Sequence, residues 1–177
     1  EDRLTTEQNR QAAAASVTPI YMFAEGTTDQ VMVKFENLLL QYAAVRQYAQ
    51  SLPDHSTSRR YTPEELQYAG EMISLADFRD YQLTTLMNSS NEAYDELTIA
   101  LRAAVRNTMQ GNVTEGQENI AVDSIMQVVG YKTSVSLLQN VVLPTLRAVI
   151  VPNMIVDVAR TEAAREQAME AVEPVVF

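Results

Sequence analysis

Acid–base, nucleophilic and metal chemistry each need particular side chains at particular spacings, and this chain of 177 residues offers few of them. It has one histidine, His55, and no cysteine. His55 follows Asp54 in a polar stretch with no second ligand at helical spacing, so it reads as a surface histidine. Asp77 and Asp80 stand one turn apart with Arg79 between them. Half a cation site could be built that way, but such spacing is far more common on a solvated helix face. Glu7, Glu64 and Glu65 fall where helix starts favour acid. There is no Gly-rich phosphate loop, no nucleophile elbow and no Cys/His pair. The eight methionines are scattered, mostly at core spacing, and read as core filler rather than as an adaptable peptide groove. The eight tyrosines form no cluster that marks a pocket. The sequence therefore predicts no catalytic residue, no metal site and no cofactor.

Charge narrows the partners. Thirteen Lys and Arg against 23 Asp and Glu give a net charge of −10. Such a surface repels phosphate backbones and anionic lipid headgroups, which argues against nucleic acid as a partner. The only basic doublet, Arg59-Arg60, reads as a solvated loop. A hydrophobic content of 46% suits a globular domain, and only five glycines disfavour an all-β fold rich in tight turns. The most apolar run, 141–156, contains Pro144, Arg147 and Pro152 and falls short of the ~20 apolar residues a membrane span needs. The chain opens on Glu rather than Met, as a piece of a longer protein would.

Helical periodicity runs through almost the whole chain. Thr5 or Thr6 can cap a first helix to about Val17, with Pro19 ending it. Thr27-Thr28-Asp29 starts a second, whose stripe Phe35, Leu38, Tyr42, Val45, Ala49 and Leu52 is widened by Leu39 and Leu40. Pro53 stops it. Thr62-Pro63-Glu64-Glu65 is a strong restart. A helix over about 75–87 follows, then one carrying Tyr94, Leu97, Leu101, Val105 and Thr108 to Gly111. Thr114 should cap the next, with Ile120, Ile125, Val128 and Val129 inward and Gly130 closing it. Residues 133–150 form a further helix with Val135, Leu138, Val142, Leu146 and Val149 inward and a kink at Pro144. Asp157 or Thr161 opens the last. The expected fold is all-α: seven to eight helices in one compact bundle-like domain spanning 1–177. Two β-prone tails, at 19–23 and 174–177, are placed to form a tiny sheet near the termini.

One pattern stands out from this background. Asp2, Thr6, Glu7, Arg10, Ala13, Val17 and Pro19 recur as Asp157, Thr161, Glu162, Arg165, Ala168, Val172 and Pro174, each pair 155 positions apart. Arg, Ala and Val at i, i+3 and i+7 share a helix face, and Pro then ejects the chain into an extended tail. Two such units can pair side by side, which puts the first and last helices in contact. Each Arg can bind its own Glu three residues earlier, or reach the other repeat.

These two ends resemble the extracellular domain of bacterial seven-transmembrane HD-domain receptors, the membrane-bound cyclic di-AMP phosphodiesterases. The start of the chain looks like the start of that domain. At its end the family commonly has R-P-N, then D-x3-T-x3-R and V-x-P-V. Pro152, Asn153, Asp157, Thr161, Arg165, Val172 and Pro174 fit, whereas Val151 stands where Arg is usual. The middle of the chain matches only as helices. The resemblance implies a domain on the outer face of the bacterial cytoplasmic membrane, between an N-terminal membrane helix and a bundle of further ones, with an HD phosphohydrolase domain on the cytoplasmic side. The family's catalytic His and Asp have no counterpart here. The implied role is a non-catalytic signal-input domain, monomeric or weakly dimeric, that senses an extracellular ligand or protein of unknown identity. The alternative reading is a secreted or periplasmic helical interaction or chaperone-like module. It predicts an open apolar groove where the first reading predicts joined chain ends.

Overall fold

The apolar stripe is buried from Phe35 through Leu38, Tyr42 and Val45 to Ala49, and Leu52 at its end is half-buried. It lies on α2 (Thr27–Ser51), the longest helix of the computed structural model, which describes residues 2–53 and 58–176. Asp54 and His55 lie outside the described residues, so the expected surface histidine has no structural account. In chain order the elements are α1 (Arg3–Ala15), β1 (Tyr21–Phe23), α2, α3 (Pro63–Glu71), α4 (Asp80–Asn88), α5 (Asn91–Gln110), α6 (Glu118–Gly130), α7 (Val135–Leu137), a π-helical segment (Leu138–Val142), α8 (Leu143–Val149), β2 (Met154–Val156) and α9 (Val158–Glu170). With 135–149 taken as one helical run, the described residues form eight helices, and the all-α expectation holds. The chain divides into two compact units: unit 1 joins Glu1–Ala24 to Met154–Phe177, and unit 2 is Glu25–Asn153.

In unit 2, α2 packs on α4, α5 and α8. Gly26 precedes it in a left-handed conformation (φ 80°), which a β-carbon would strain. Leu39 is buried as expected, but Leu40 points to solvent, so the helix is covered on a narrower arc than its three successive leucines suggest. α3 starts at the expected Thr62-Pro63 signal, and Thr62 and Glu65 complete it as a capping box. The next helix starts later than the sequence reading put it: residues 75–79 are irregular, and α4 begins at Asp80. α6 is capped at Gln117 rather than Thr114. Its inward residues are Val122, Ile125 and Val129, while Ile120 remains 64% exposed and Val128 is also exposed. Apolar type alone does not fix the phase of so hydrophobic a helix.

The run at 135–149 differs in the same way. Val135 is 76% exposed, and the buried side chains are Leu137, Val141, Val142, Thr145, Leu146 and Val149. The kink expected at Pro144 takes the form of a π turn just before it. The Leu143 N–H donates to the Leu138 C=O, five residues back. Pro144 has no N–H to give and its ring crowds the carbonyl four residues earlier, and the wider π turn relieves that crowding.

Two of the buried polar side chains in unit 2, Arg46 and Asn153, serve helix ends, whereas Thr145 lies within α8 and bonds the Tyr42 hydroxyl. Arg46 donates to the carbonyls of Leu86 (3.2 Å) and Ser89 (2.8 Å), to the Ser89 hydroxyl and to Asn91 Oδ1 (2.8 Å), and lies 4.2 Å over the Tyr94 ring. It thus fills the open carbonyls at the end of α4, where the helix dipole also favours a cation. Burial lowers its pKa and pushes the Tyr94 hydroxyl up to about 12. Asn153, fully buried, does the same for α5. Its Oδ1 accepts the Val113 N–H at 2.8 Å, and its Nδ2 donates to the carbonyls of Met109 (3.1 Å) and Gly111 (2.9 Å). Thr28 on α2 also donates to Met109 (2.9 Å), which ties two helix ends together. Replacing Asn153 by Ala would orphan the buried Val113 N–H, uncover the Gly111 carbonyl and leave the Met109 carbonyl to Thr28 alone. Denaturant unfolding of Asn153→Ala should show a loss of about 2–4 kcal/mol; a midpoint equal to the parent's would mean these bonds contribute nothing net.

Candidate functional site

Unit 1 contains all fourteen repeat positions. α1 and α9 occupy equivalent stretches of the two repeats, end for end, and pack against each other. Asp2 and Asp157, not the threonines, are the N-caps: Asp2 Oδ1 accepts the Thr5 N–H at 3.1 Å and Asp157 Oδ1 the Arg160 N–H at 3.0 Å. Burial matches pair by pair. Thr6 and Thr161 are 2% and 3% exposed. Arg10, Ala13 and Val17 are half-buried, as are Arg165, Ala168 and Val172. Glu7, Pro19, Glu162 and Pro174 are exposed.

The threonines are buried because each receives the tail of the other repeat. Asp2 N–H donates to the Val175 C=O (2.8 Å), and Val175 N–H donates to Thr6 Oγ1 (2.9 Å). In the other direction Asp157 N–H donates to the Ile20 C=O (2.7 Å), and Ile20 N–H donates to Thr161 Oγ1 (3.0 Å). Ile20 and Val175 are themselves equivalent positions, each directly after the repeated proline. Proline has no N–H, so the residue after it is the first donor the extended tail can offer.

The strand-prone tails do not pair with each other. β1 pairs antiparallel with β2, Tyr21 opposite Val156 and Phe23 opposite Met154, so the second strand precedes α9 instead of following it. The segment at 174–176 is bonded to Asp2 and Thr6 instead. The arginines also play a different part from the one their spacing suggested for a packed pair. Arg165 binds its own Glu162 at 2.6 Å on the surface, and Arg10 makes no ion pair among the described residues. Threonine is the residue that reaches across. Its signal was in the sequence, since both repeats carry it, but a threonine after an aspartate reads first as a helix cap.

Outside the repeats, no group of three or more His, Asp or Glu among the described residues could hold a metal ion. Asp77 and Asp80 are both exposed, Asp77 just before α4 and Asp80 as its first residue. Arg59 is not the solvated charge its sequence suggested; it pairs with Glu65 at 2.8 Å and lies 4.8 Å from the Tyr61 ring centre. Unit 2 also has an open cleft of about 630 Å³, with Lys34, Asp77, Arg79 and Arg147 on its walls. Those residues come from three separate parts of the chain, so no linear pattern announces them.

Among known families, the one described as 7TM-HD extracellular matches residues 1–177, the whole chain. No curated protein and no solved structure matches. No helix among the described residues is long and apolar enough to cross a membrane.

Two outcomes follow from the exchanged tails. Thr6→Val should speed hydrogen exchange at the Val175 amide, and Thr161→Val at the Ile20 amide, each leaving the other amide less affected. Either substitution should cost about 1–2 kcal/mol, whereas Arg165→Ala should cost no more than about 0.5 kcal/mol. Equal protection in all three variants would show that the threonines do not hold the tails. The second outcome concerns pH. The Thr5 hydroxyl, then its N–H, hold the Asp2 carboxyl below its usual pKa. A lowered folded-state pKa contributes stability at neutral pH that is lost as pH falls through it. Amide protection factors in the first turn of α1, taken against the intrinsic exchange rate at each pH, should therefore fall on acidification through that range, and Asp2→Asn should flatten the profile.

Proposed function

The chain belongs to the 7TM-HD extracellular family, and we propose that it is the signal-input domain of a membrane-anchored HD-type cyclic di-AMP phosphodiesterase. On this reading it stands on the outer face of the bacterial cytoplasmic membrane, flanked by transmembrane helices of the parent protein, and carries no catalysis itself. An extracellular ligand or protein partner shifts the equilibrium of the attached helices, and the enzyme responds on the other side.

The observation that carries the proposal is the exchange within unit 1. The first and last helices pack together, and the backbone at Asp2 is bonded directly to the backbone at Val175. Segments attached at the two ends therefore leave the domain side by side, so a change in this clamp reaches both. An input of this kind needs different affinities for two states, typically worth ~1–3 kcal/mol of coupling. The alternative of an interaction module with an open apolar groove does not call for joined ends.

The test uses the full-length protein in membranes. Weakening the clamp with Thr6→Val or Thr161→Val should change cyclic di-AMP hydrolysis about 5–150-fold, the range that coupling energy spans. The isolated domain should hydrolyse none, with or without added metal. Unchanged hydrolysis in both clamp variants, or turnover by the isolated domain, would refute the reading.

A further inference from the structure

We infer that the cleft of unit 2 is a binding site for a small organic anion, a carboxylic acid or phosphate ester with a body of several carbons. Three cations, Lys34, Arg79 and Arg147, border it with one carboxylate, Asp77, so its formal charge is +2 in a chain whose total is −10. A local surplus of positive charge on so acidic a protein is not what a merely solvated surface provides. Arg79 and Arg147 are exposed and make no ion pair among the described residues, although acids outnumber bases 23 to 13. Guanidinium groups left unpaired beside one cavity are suited to bidentate recognition of a carboxylate or phosphate.

The rest of the cleft fits the body of such a ligand. Its volume, about 630 Å³, lies within the range of small-molecule sites. Lys34 is anchored there, because its Nζ donates to the Ala148 C=O (2.7 Å) near the end of α8, where the helix dipole favours a cation. Leu75, Leu143 and Pro144 are half-buried and supply apolar lining. Gln82 and Asn140 supply neutral hydrogen-bonding groups. One wall is the π turn that ends at Val142, and π turns recur at functional sites. This assignment concerns binding by the domain itself and does not depend on what an attached enzyme does.

The experiment is an amide-resonance titration of the domain at low ionic strength with citrate, glucose 6-phosphate, inorganic phosphate and glucose. Citrate and glucose 6-phosphate should give saturable shifts at residues 75–82 and 139–148, weaker with inorganic phosphate and absent with glucose. Arg79→Gln and Arg147→Gln, at exposed positions that should leave the thermal melt unchanged, should each weaken binding about tenfold. Arg106→Gln, an exposed change outside the cleft, should not. Raising salt to physiological ionic strength should weaken binding further. The proposal is overturned if no anion saturates, if inorganic phosphate binds as well as both organic anions, or if the Arg79 and Arg147 variants bind like the parent. Any of these results would leave the clamp reading of unit 1 untouched.

Discussion

A buried threonine oxygen needs a donor, and in unit 1 that need is met twice by the same device. Thr6 takes its donor from Val175, and Thr161 takes its donor from Ile20. Each tail also accepts the N–H of the aspartate four residues before the threonine. Without the tail, that aspartate N–H would be one of the open donors that precede a helix. The exchange thus completes two helix starts with backbone from the opposite end of the chain. The remaining features of the unit follow from it. α1 and α9 must lie together, and the prolines must release the chain where the tails begin.

Unit 2 uses the same economy with different residues. Its apolar core is one cluster built on α2, but helices end in that core's margins, and their last carbonyls need partners. Arg46 and Asn153 provide them with long or forked side chains, one at the end of α4 and one at the end of α5. Arg46 makes no ion pair among the described residues; carbonyls and the Tyr94 ring lie directly against its charge. A polar side chain that serves several helix ends at once is hard to replace, because removing it strands each of them.

This division explains what could be read from the chain alone. The stripe on α2, the capping box at Thr62 and the stop at Gly111 are local signals, and the structure carries all three. The misjudged phases of α6 and of 135–149 come from helices with more apolar residues than one face can bury. The late start of α4 leaves residues 75–79 irregular, and the contact that holds the chain there is distant in sequence: Gln41 Oε1 accepts the N–H of Ser74 and of Leu75. The partner strand β2 was missed because three residues carry no period. The cleft was invisible because its cations lie far apart in the chain.

The two repeats are alike for a reason of geometry. In an exchange where each half completes the other, a given position must make the contact and also receive it, as in an interface between identical subunits. Thr6 and Thr161 keep the same role because each meets a backbone N–H that follows the repeated proline. Positions outside the exchange are free of that constraint, and they do differ. Asp2 holds a Thr5 hydroxyl at 2.5 Å where Asp157 faces Arg160, and Glu162 holds Arg165 where Glu7 instead lies 3.4 Å from Gln11. The clamp is therefore symmetric in its backbone bonds and asymmetric in its surface charges.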